Sequence, residues 1–321
     1  MALVEQARPG GAAPLRGRDF LSLHDLSPSQ VEDLVELAMR FKDRRWAAGR
    51  PLEGLSVVLI FLQPSTRTRV AFEVATAALG GHPVYMSGTE MQLARGETIA
   101  DTGRVLSRLV DAIVVRAFAH RDVEELAEAA DVPVINALTD LLHPSQALAD
   151  LLTLRERFGR LRGLSVAYVG DGNNVCHSLC FAAAKAGFTL RVAAPRPFQP
   201  DPWVVEAARR DAQETGGRIE VLEDPVAAVS GADAVYTDAW VSMGFEATAD
   251  ARRRALAPYQ VNAALLRHAA PHAVFLHDLP AHRGEEVTDE VIDGPASLVF
   301  QQAGNRLPAA KAILAALLGR P

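Results

Sequence analysis

The chain has 321 residues, of which 49% are hydrophobic and 22% charged, as expected for a globular protein of about two domains. Its 33 basic and 39 acidic residues give a formal net charge of −6, which argues against a protein that binds nucleic acid nonspecifically. No apolar run approaches the roughly 18 residues that cross a bilayer, so a membrane protein is not expected.

The N-terminus and the cysteines bear on the compartment. The segment MALVEQARPGGAAPLRG has no positive start followed by an apolar core, so a short leader is expected rather than a secretory signal. Cys176 and Cys180 lie four residues apart on a predicted helix. They could be zinc ligands or a redox pair, but no accompanying cluster has metal spacing, which favours small buried helix residues. A reducing, cytoplasmic location is expected.

Strand-like apolar runs alternate with helical patterns through the first half of the chain. These runs are LSVVLIFL (55–62), HPVYMS (82–87), AIVVRAF (112–118) and VPVINAL (132–138). The segment HPSQALADLLTLRERFG (143–159) then predicts a long helix that joins two halves. Pro144 suits the first helical position, which makes His143 the expected N-cap residue.

The second half of the chain repeats this alternation. Its runs are LSVAYVGD (164–171), TLRVAAP (189–195), RIEVLED (218–224), AVYTDAW (234–240) and AVFLHD (273–278). Alternating strands and helices predict an α/β protein with two doubly wound parallel sheets, each covered by helices on both faces.

The stretch FLQPSTRTRVAF (61–72) places three hydroxyls and two arginines where the first strand ends and a helix begins. A helix start offers free N–H groups and partial positive charge, and an arginine fork matches phosphate oxygens. The alternative is a helix cap with two solvated arginines, although a cap needs one hydroxyl rather than three. The P-loop motif G-x-x-x-x-G-K-[ST] is absent. We therefore expect a phosphate or carboxylate cradle formed by Ser65, Thr66, Arg67, Thr68 and Arg69.

Polar residues follow other predicted strands in the same way. They are Arg116, His143, Gln146, Asp171, Asn173, Asn174, Asp238, Ser242, His277 and Asp278. Each of them alone could be a cap or a turn residue. Ligands of open parallel sheets bind beyond the carboxyl ends of the strands, so the set together predicts a shared cleft between the two domains.

Several other motifs are weaker. GDGNNVCHS (170–178) has Val175 where a dinucleotide site needs its third glycine, so we do not expect NAD, and its asparagines either present amides to a ligand or only cap a helix. The basic cluster Arg252 to Arg254 is expected to be solvated. The dense charge of DLPAHRGEEV (278–287) also suggests a solvated segment, but HDLP (277–280), directly after a strand, is harder to dismiss as solvated charge. Arg306, taken alone, would be assigned to the surface.

Six motifs together resemble the aspartate/ornithine carbamoyltransferases. In chain order they are STRTR, HPSQALAD, VGDGNN, TDAWVSMG, LPAHRGEEVTDEV and NRLPAAKAIL, and the similarity extends over residues 18 to 318. STRTR with HPxQ marks the superfamily, and SMG after the D-x-W stretch points to its ornithine branch. The resemblance implies that residues 1–150, completed by a C-terminal helix at 305–321, bind carbamoyl phosphate. Residues 151–304 would bind L-ornithine, with the active site in the interdomain cleft.

The resemblance also assigns roles to individual residues. The carbamoyl phosphate set is Ser65, Thr66, Arg67, Thr68, Gln92, Arg116, His143, Gln146, Asp278, Leu279 and Arg306. The L-ornithine set is Asn174, Asp238, Ser242 and Met243. The catalytic set is Arg67, Arg116, His143, Asp278 and Arg306. Gln92 matches a residue that similar enzymes lend to a neighbouring subunit, which implies a homotrimer or an assembly of trimers.

The implied chemistry needs these residue types. A neutral amine attacks the carbamoyl carbon, negative charge builds on the carbonyl oxygen and phosphate leaves. Arginines and helix N–H groups would stabilise the phosphate, while His143 and Arg306 would stabilise the oxyanion. No metal or organic cofactor, nucleic acid or membrane is implied. The product would be L-citrulline, which belongs to arginine metabolism, with the direction of flux left open.

The chain departs from the family pattern at three places. HDLP carries Asp278 where cysteine is usual, HPSQ carries Ser145 where cysteine is common, and FLQP carries Leu62 and Gln63 where glutamate and lysine are more usual. Glutamine at the position of Gln63 also resembles putrescine carbamoyltransferases. The alternatives are therefore a carbamoyltransferase for putrescine or a modified ornithine, or an inactive binding or regulatory relative. The aspartate branch fits worse because it lacks the SMG pattern.

Overall fold

The computed structural model describes residues 14–43, 49–241, 244 and 246–319. Most of the predicted leader, together with Ser242 and Met243 of the predicted ornithine set, lies outside these residues. In the part of the chain that the structure describes, every strand falls inside a run that the sequence predicts. The strands are β1 (Ser56–Phe61), β2 (His82–Ser87), β3 (Ala112–Arg116), β4 (Val134–Leu138), β5 (Ser165–Val169), β6 (Thr189–Ala193), β7 (Arg218–Leu222), β8 (Ala234–Thr237) and β9 (Val274–His277).

Helices separate the strands, as the alternating pattern predicts. They are α1 (Pro28–Lys42), α2 (Arg67–Ala78), α3 (Ile99–Leu106), α4 (His120–Ala129), α5 (Pro144–Phe158), α6 (Asn174–Ala186), α7 (Pro202–Thr215), α8 (Pro225–Val229), α9 (Ala249–Leu256), α10 (Ala263–Leu266), α11 (Asp289–Ile292), α12 (Val299–Gly304) and α13 (Arg306–Leu318). None of the helices in the described residues is long and apolar enough to cross a membrane.

The chain divides into two compact units. The first runs up to Leu152 and resumes at Asn305, while the second is Thr153–Gly304, so the division falls within α5. Each unit contains one parallel sheet, with strand order β2-β1-β3-β4 in the first and β7-β6-β5-β8-β9 in the second. Parallel strands covered on both faces have near-continuous apolar runs, which explains why the sequence predicts them so readily.

The order of the strands reverses once in each sheet. From β1 the first sheet extends one way to β2 and the other way to β3, and from β5 the second sheet extends to β6 and to β8. Ligands of open α/β sheets bind beyond the carboxyl ends of the strands at such reversal points. The predicted residues 65–68 follow β1, Arg116 ends β3, Asn174 follows β5 and Asp238 follows β8. The topology therefore predicts a candidate binding site in each unit.

α13 belongs to the core of the first unit, although it follows the second unit in sequence. It packs against α1 and α2, and its buried residues surround the whole helix, as expected for a core helix. Ala38, Leu152 and Ala312 form one of the contact clusters there. Lys42 Nζ donates to Asn305 Oδ1 at 2.7 Å, and Asn305 is fully buried. This packing fixes Arg306, the first residue of α13.

Candidate active site

The turn between β1 and α2 holds the STRTR motif. Thr66 is the N-cap residue of α2, but its side chain makes no capping hydrogen bond, so the capping interpretation is wrong for this hydroxyl. Thr68 is almost fully buried, and its Oγ1 accepts a hydrogen bond from Arg306 Nη2 at 2.6 Å. Ser65 and Arg67 are half-buried. One member of the predicted cradle thus contacts an arginine 238 positions away in sequence.

Arg306 gathers three of the predicted carbamoyl phosphate residues. Its Nη1 donates to Gln146 Oε1, and its Nη2 contacts Thr68 Oγ1 and lies 3.3 Å from His143 Nε2. All four of these side chains are buried, and Arg306 itself is 4% exposed. The surface assignment of Arg306 from local sequence is therefore wrong. We call Thr68, His143, Gln146 and Arg306 the Arg306 cluster.

His143 is neutral in this cluster. It directly precedes α5, which begins at Pro144 as predicted, and its carbonyl accepts from Gln146 N at 3.1 Å. Arginine can only donate, so Nε2 of His143 must accept and the ring proton lies on Nδ1, 3.4 Å from Ser145 Oγ. Burial lowers the pKa of His143 well below its usual range, and the positive charges of Arg306, Arg116 and Arg67 lower it further.

Two further groups belong to the candidate site of the first unit. Arg116 is the last residue of β3, next to a register irregularity between Val115 and Arg116, and is 6% exposed. Gln146 Nε2 donates to Asp150 Oδ1 at 2.7 Å, which orients the amide so that its oxygen faces Arg306. Asp150 is buried and absent from the sequence-based set. Its position four residues after Gln146 on α5, hence on the same helix face, is the signal that could have found it.

Gln92 and Asn174 lie in less enclosed surroundings. Gln92 is exposed at the start of a short 3-10 turn, Gln92–Arg95. Asn174 is half-buried as the first residue of α6, and its carbonyl accepts from Ser178 Oγ at 2.9 Å.

The candidate site of the second unit is built around Asp238. Asn173 Nδ2 donates to Asp238 Oδ2 at 2.8 Å, and Asp238 Oδ1 lies 3.9 Å from His277 Nδ1. Asn173 is also the N-cap of α6, because its Oδ1 accepts from Val175 N and Cys176 N. The capping alternative thus describes only part of what Asn173 does. It caps with its oxygen and binds the carboxylate with its nitrogen.

The carboxyl of Asp238 has a raised pKa of about 6. Burial is the main cause, and the negative charge of Asp278 adds to it, while the hydrogen bonds from Asn173 and the Ala239 amide oppose it. Asp278 itself is half-buried. The charge of Asp278 thus acts on the carboxyl of Asp238, and two carboxyl groups beyond β8 and β9 suit a cationic ligand.

One basic residue predicted to be solvated is not. Arg252, on α9, is largely buried, and its Nη1 donates to Asp171 Oδ2 at 2.5 Å. Its guanidinium also lies 4.8 Å from the centre of the Phe198 ring. Burial raises the pKa of Asp171 to about 6, although Arg252 opposes the shift. Solvation is the wrong prediction here because local sequence does not reveal a partner 81 positions away.

In the segment DLPAHRGEEV, His282 and Arg283 are exposed as predicted, but Glu286 is not. Glu286 is fully buried, and its Oε1 accepts from His277 Nε2 at 3.1 Å and from the His282 amide at 2.5 Å. Val287 after it is buried and forms an isolated β-bridge with Val261. Leu279 has a positive φ of 62°, a backbone conformation that residues other than glycine rarely adopt.

Among the described residues, one group of side chains has the spacing to hold a metal ion. His282, Glu285 and Glu286 offer ligand atoms that lie within 4.8 Å of one another. Arg253 Nε already binds both oxygens of Glu285 at 3.1 Å. Cys176 and Cys180, the other pair considered for metal or redox chemistry, are buried and not bridged, as predicted for helix residues.

Comparison with known proteins finds family models and relatives that match nearly the whole chain. Residues 18–156 match the carbamoyl-P binding domain of aspartate/ornithine carbamoyltransferases, and residues 162–317 match their Asp/Orn binding domain. A relative from Symbiobacterium thermophilum, named ornithine carbamoyltransferase, is 56% identical over 306 residues, covering 95% of this chain and 99% of the relative.

Relatives from Pyrococcus furiosus extend the likeness to structure. One named ornithine carbamoyltransferase, anabolic, is 54% identical over 309 residues, covering 95% of this chain and 98% of its own. A solved structure of the ornithine carbamoyltransferase from that organism superposes with a TM-score of 0.92 at 53% identity, covering 96% of this chain and 99% of the other. Agreement at this level extends over both units.

Proposed function

Because the chain belongs to the aspartate/ornithine carbamoyltransferase family, we propose that it transfers the carbamoyl group of carbamoyl phosphate to the side-chain amine of L-ornithine. The products are L-citrulline and phosphate. The observation that carries this proposal is the Arg306 cluster, in which a buried guanidinium contacts a threonine of STRTR and both polar residues of HPxQ. The high identity to relatives named for this activity supports the choice of ornithine.

The first unit binds carbamoyl phosphate. Ser65, Thr66, Arg67 and Thr68 hold the phosphate at the start of α2, where helix N–H groups add to the attraction. The charges of Arg67, Arg116 and Arg306, which together lower the pKa of His143, support a site for a dianion. In this scheme Gln146 binds the carbamoyl amide, and Asp150 keeps the glutamine in the required orientation.

His143 and Arg306 stabilise the oxyanion that forms as the amine attacks. A neutral imidazole does not compete with the arginines for the phosphate charge, and the lowered pKa of His143 supports that role. When carbamoyl phosphate is bound, Arg306 turns one N–H from His143 to the carbonyl oxygen of the substrate, and the neutral imidazole takes its Nε2–H tautomer so that it can donate to the same oxygen. Collapse of the tetrahedral intermediate breaks the bond between carbon and the phosphate oxygen. The amine proton leaves with the phosphate, so the atoms and charges balance.

The second unit binds L-ornithine. Asp238 attracts the α-ammonium group, and its bond from Asn173 keeps the carboxylate in place. Asn174, Ser242 and Met243 complete the contacts to the amino-acid backbone by resemblance. Asp278 lies beside the reacting amine, where the family has a cysteine.

The assembly is a homotrimer or a set of trimers in which Gln92 serves the site of a neighbouring subunit. Apolar side chains support an interface on the first unit. Val70 and Val74 are exposed one turn apart on α2, and Val84 is exposed on the edge strand β2. Gln92 is also exposed. The unbridged buried cysteines support a reducing, cytoplasmic location.

A turnover assay with several amines tests the proposed activity. The enzyme is given carbamoyl phosphate and, separately, L-ornithine, putrescine, an N-acetylated ornithine or L-aspartate, and ureido product and phosphate are both measured. We expect kcat/KM for L-ornithine to exceed that for each other amine by at least about 100-fold, as contacts to a buried charge require. A larger kcat/KM for any other amine, or no turnover with any of them, contradicts the proposal.

A further inference from the structure

The segment from His277 to His282 connects β9 to the charged stretch that follows, and it carries Asp278 and Leu279. It leaves β9 at His277, which is fully buried. Leu279 sits in the left-handed region with φ 62°. A leucine stays in that conformation only where its surroundings hold it there. Something must therefore fix this turn, and the hydrogen bonds around it identify the group.

The first contact is made by the ring of His277. The amide of Leu279 donates to His277 Nδ1 at 2.8 Å, so Nδ1 must carry a lone pair and the ring proton must be on Nε2. Nε2 lies 3.1 Å from Glu286 Oε1, which accepts that proton. The tautomer of His277 that can hold Leu279 is thus the one that Glu286 selects. It is opposite to the tautomer of His143.

The second contact is at the other end of the turn. The same oxygen, Glu286 Oε1, accepts from the backbone amide of His282 at 2.5 Å. Glu286 is fully buried, and so is Gln302, whose Oε1 accepts from the amide of His277 at 2.9 Å. One carboxylate oxygen thereby ties both ends of a six-residue segment, with no water needed between them.

From this geometry we infer that Glu286 is a positioning residue for carbamoyl transfer: through His277 Nε2 and the His282 amide it holds the turn that presents Asp278 and Leu279. The inference rests on the proposed function, which gives Asp278 and Leu279 their roles. Glu286 does not touch the substrates in this scheme. It acts by fixing a tautomer and a backbone conformation.

Three variants separate this role from general stability. Glu286→Gln keeps an oxygen acceptor of the same size, whereas Glu286→Leu fills similar space without any acceptor. Glu285→Leu is the matched control, because Glu285 is the adjacent, more exposed residue that binds Arg253 instead. Each variant is assayed well below its own unfolding temperature, with kcat and the KM for L-ornithine determined separately and the tautomer of His277 read from the ¹⁵N shifts of its ring.

We expect Glu286→Leu to lower kcat on the order of 100-fold, as misplacement of a reacting group does, with a smaller change in the KM for L-ornithine. We expect Glu286→Gln to restore kcat to within about 3-fold of wild type, because one amide oxygen can accept both bonds. The Nε2–H tautomer of His277 should persist in wild type, Glu286→Gln and Glu285→Leu, and should be lost or mixed in Glu286→Leu.

The inference is overturned if folded Glu286→Leu keeps the kcat of wild type, or if Glu286→Gln is as impaired as Glu286→Leu. A loss of thermal stability with unchanged kinetics and tautomer would make Glu286 a structural residue only, which also overturns it. If wild type itself does not turn over L-ornithine, the proposed function fails. The ring shifts of His277 then decide by themselves whether Glu286 fixes the turn.

Discussion

Two arginines of STRTR, separated by a single residue, have different surroundings. Arg69 Nε lies 3.3 Å from Glu73 Oε2, and its guanidinium carbon lies 3.4 Å from the centre of the Tyr85 ring. Arg67 is close enough to His143 for its charge to lower the pKa of that imidazole. Residues two apart on a helix do not share a face, so the first turn of α2 directs the two side chains differently. Only Arg67 is expected to bind phosphate.

This difference gives a matched pair of substitutions. Arg67→Ala should lower kcat/KM for carbamoyl phosphate by an amount equivalent to about 3 kcal/mol or more, as the loss of a charged contact in an enclosed site predicts. Arg69→Ala removes the same charge two positions away and should cost less than about 1 kcal/mol, because its partner Glu73 is half exposed. Steady-state kinetics at low carbamoyl phosphate measure both. Equal losses in the two variants, or near-normal turnover in Arg67→Ala, would contradict the assignment.

Asp278 provides a prediction of pH dependence. Asp238 must be ionised to hold an ammonium group, so the affinity for L-ornithine should fall as the pH drops through its raised pKa of about 6. The charge of Asp278 contributes to that raised value, and it would also hold the reacting amine in its protonated form. Removing the charge of Asp278 should lower the pKa of the Asp238 carboxyl and the pKa of the reacting amine. Asp278→Cys and Asp278→Asn should therefore move the acidic limbs of kcat/KM and kcat to lower pH by about one unit.

Profiles of kcat and kcat/KM from about pH 5 to about pH 9, the range in which these groups titrate, test this expectation. The two substitutions should shift the limbs alike, while only Asp278→Cys should become sensitive to thiol reagents. An unshifted profile in both active variants would mean that the carboxylate influences neither Asp238 nor the reacting nitrogen.

Local sequence predicts some residues of the two candidate sites and not others, and the difference has a physical reason. Thr68 and His143 lie next to a strand end or a helix start, which local patterns reveal. Arg252 and Glu286 matter because of partners on other elements, and a buried ion pair or hydrogen bond leaves no trace in the periodicity of either segment. Asp150 has its partner Gln146 on the same helix, so its spacing of four residues is a local signal that could have found it. Arg306 came from the resemblance alone. A charged residue before a helix is otherwise indistinguishable from a solvated one.

At the scale of elements, the turn between β5 and α6 depends on close backbone contact. Gly172 has no room for a side chain, because a Cβ atom there would lie 2.2 Å from Pro200 N and 2.5 Å from the carbonyl carbon of Gln199. Gly216 ends α7 with φ 80° and has open space around its Cα. The first glycine is required by packing and the second by conformation.

Alanine at each position should separate these two requirements. Gly172→Ala is expected to cost about 3 kcal/mol in the free energy of unfolding and to raise the KM for L-ornithine, because the turn carries Asn173 and Asn174. Gly216→Ala should cost about 1 kcal/mol through its positive φ and leave the KM unchanged. Denaturant unfolding and steady-state kinetics measure the two effects. A Gly172→Ala protein with wild-type stability and KM would show that the turn adapts without consequence.

Sequence patterns predict some of the secondary-structure elements and not others, and the length of the element decides which. Buried parallel strands and helices of ten or more residues have runs or periods long enough to recognise. The short helices α10 (Ala263–Leu266) and α11 (Asp289–Ile292) have only four residues each, less than two turns. Their positions are set by packing against neighbouring elements. Asn262 caps α10, but neither helix is long enough to show a period in the sequence.

At the scale of the whole molecule, the proposed trimer makes Gln92 a residue that acts in trans. Inactive Gln92→Ala chains mixed with inactive Arg67→Ala chains should then regain activity after dissociation and reassembly. In a random one-to-one mixture, each site draws its two residues independently from two kinds of chain, so about a quarter of the sites are intact. Turnover of the mixture should approach about a quarter of wild type if sites act independently.

The control is each variant taken through the same dissociation and reassembly alone, which should remain inactive. Mixtures that stay as inactive as either variant, although size measurements show mixed assemblies, would place Gln92 and Arg67 in the same subunit's site. Recovery without mixed assemblies would point to contamination of one preparation.

The position of α13 in the chain has a consequence for biosynthesis. Arg306 and the helix it begins are translated only after the entire second unit, yet they complete the first. On the ribosome, β1 to β4 and STRTR emerge long before the guanidinium that contacts Thr68, His143 and Gln146. Until α13 arrives, the surfaces of α1 and α2 that it covers remain open to chaperones. A message truncated before codon 306 should therefore yield no partly active enzyme, and nascent chains should acquire substrate affinity abruptly rather than gradually.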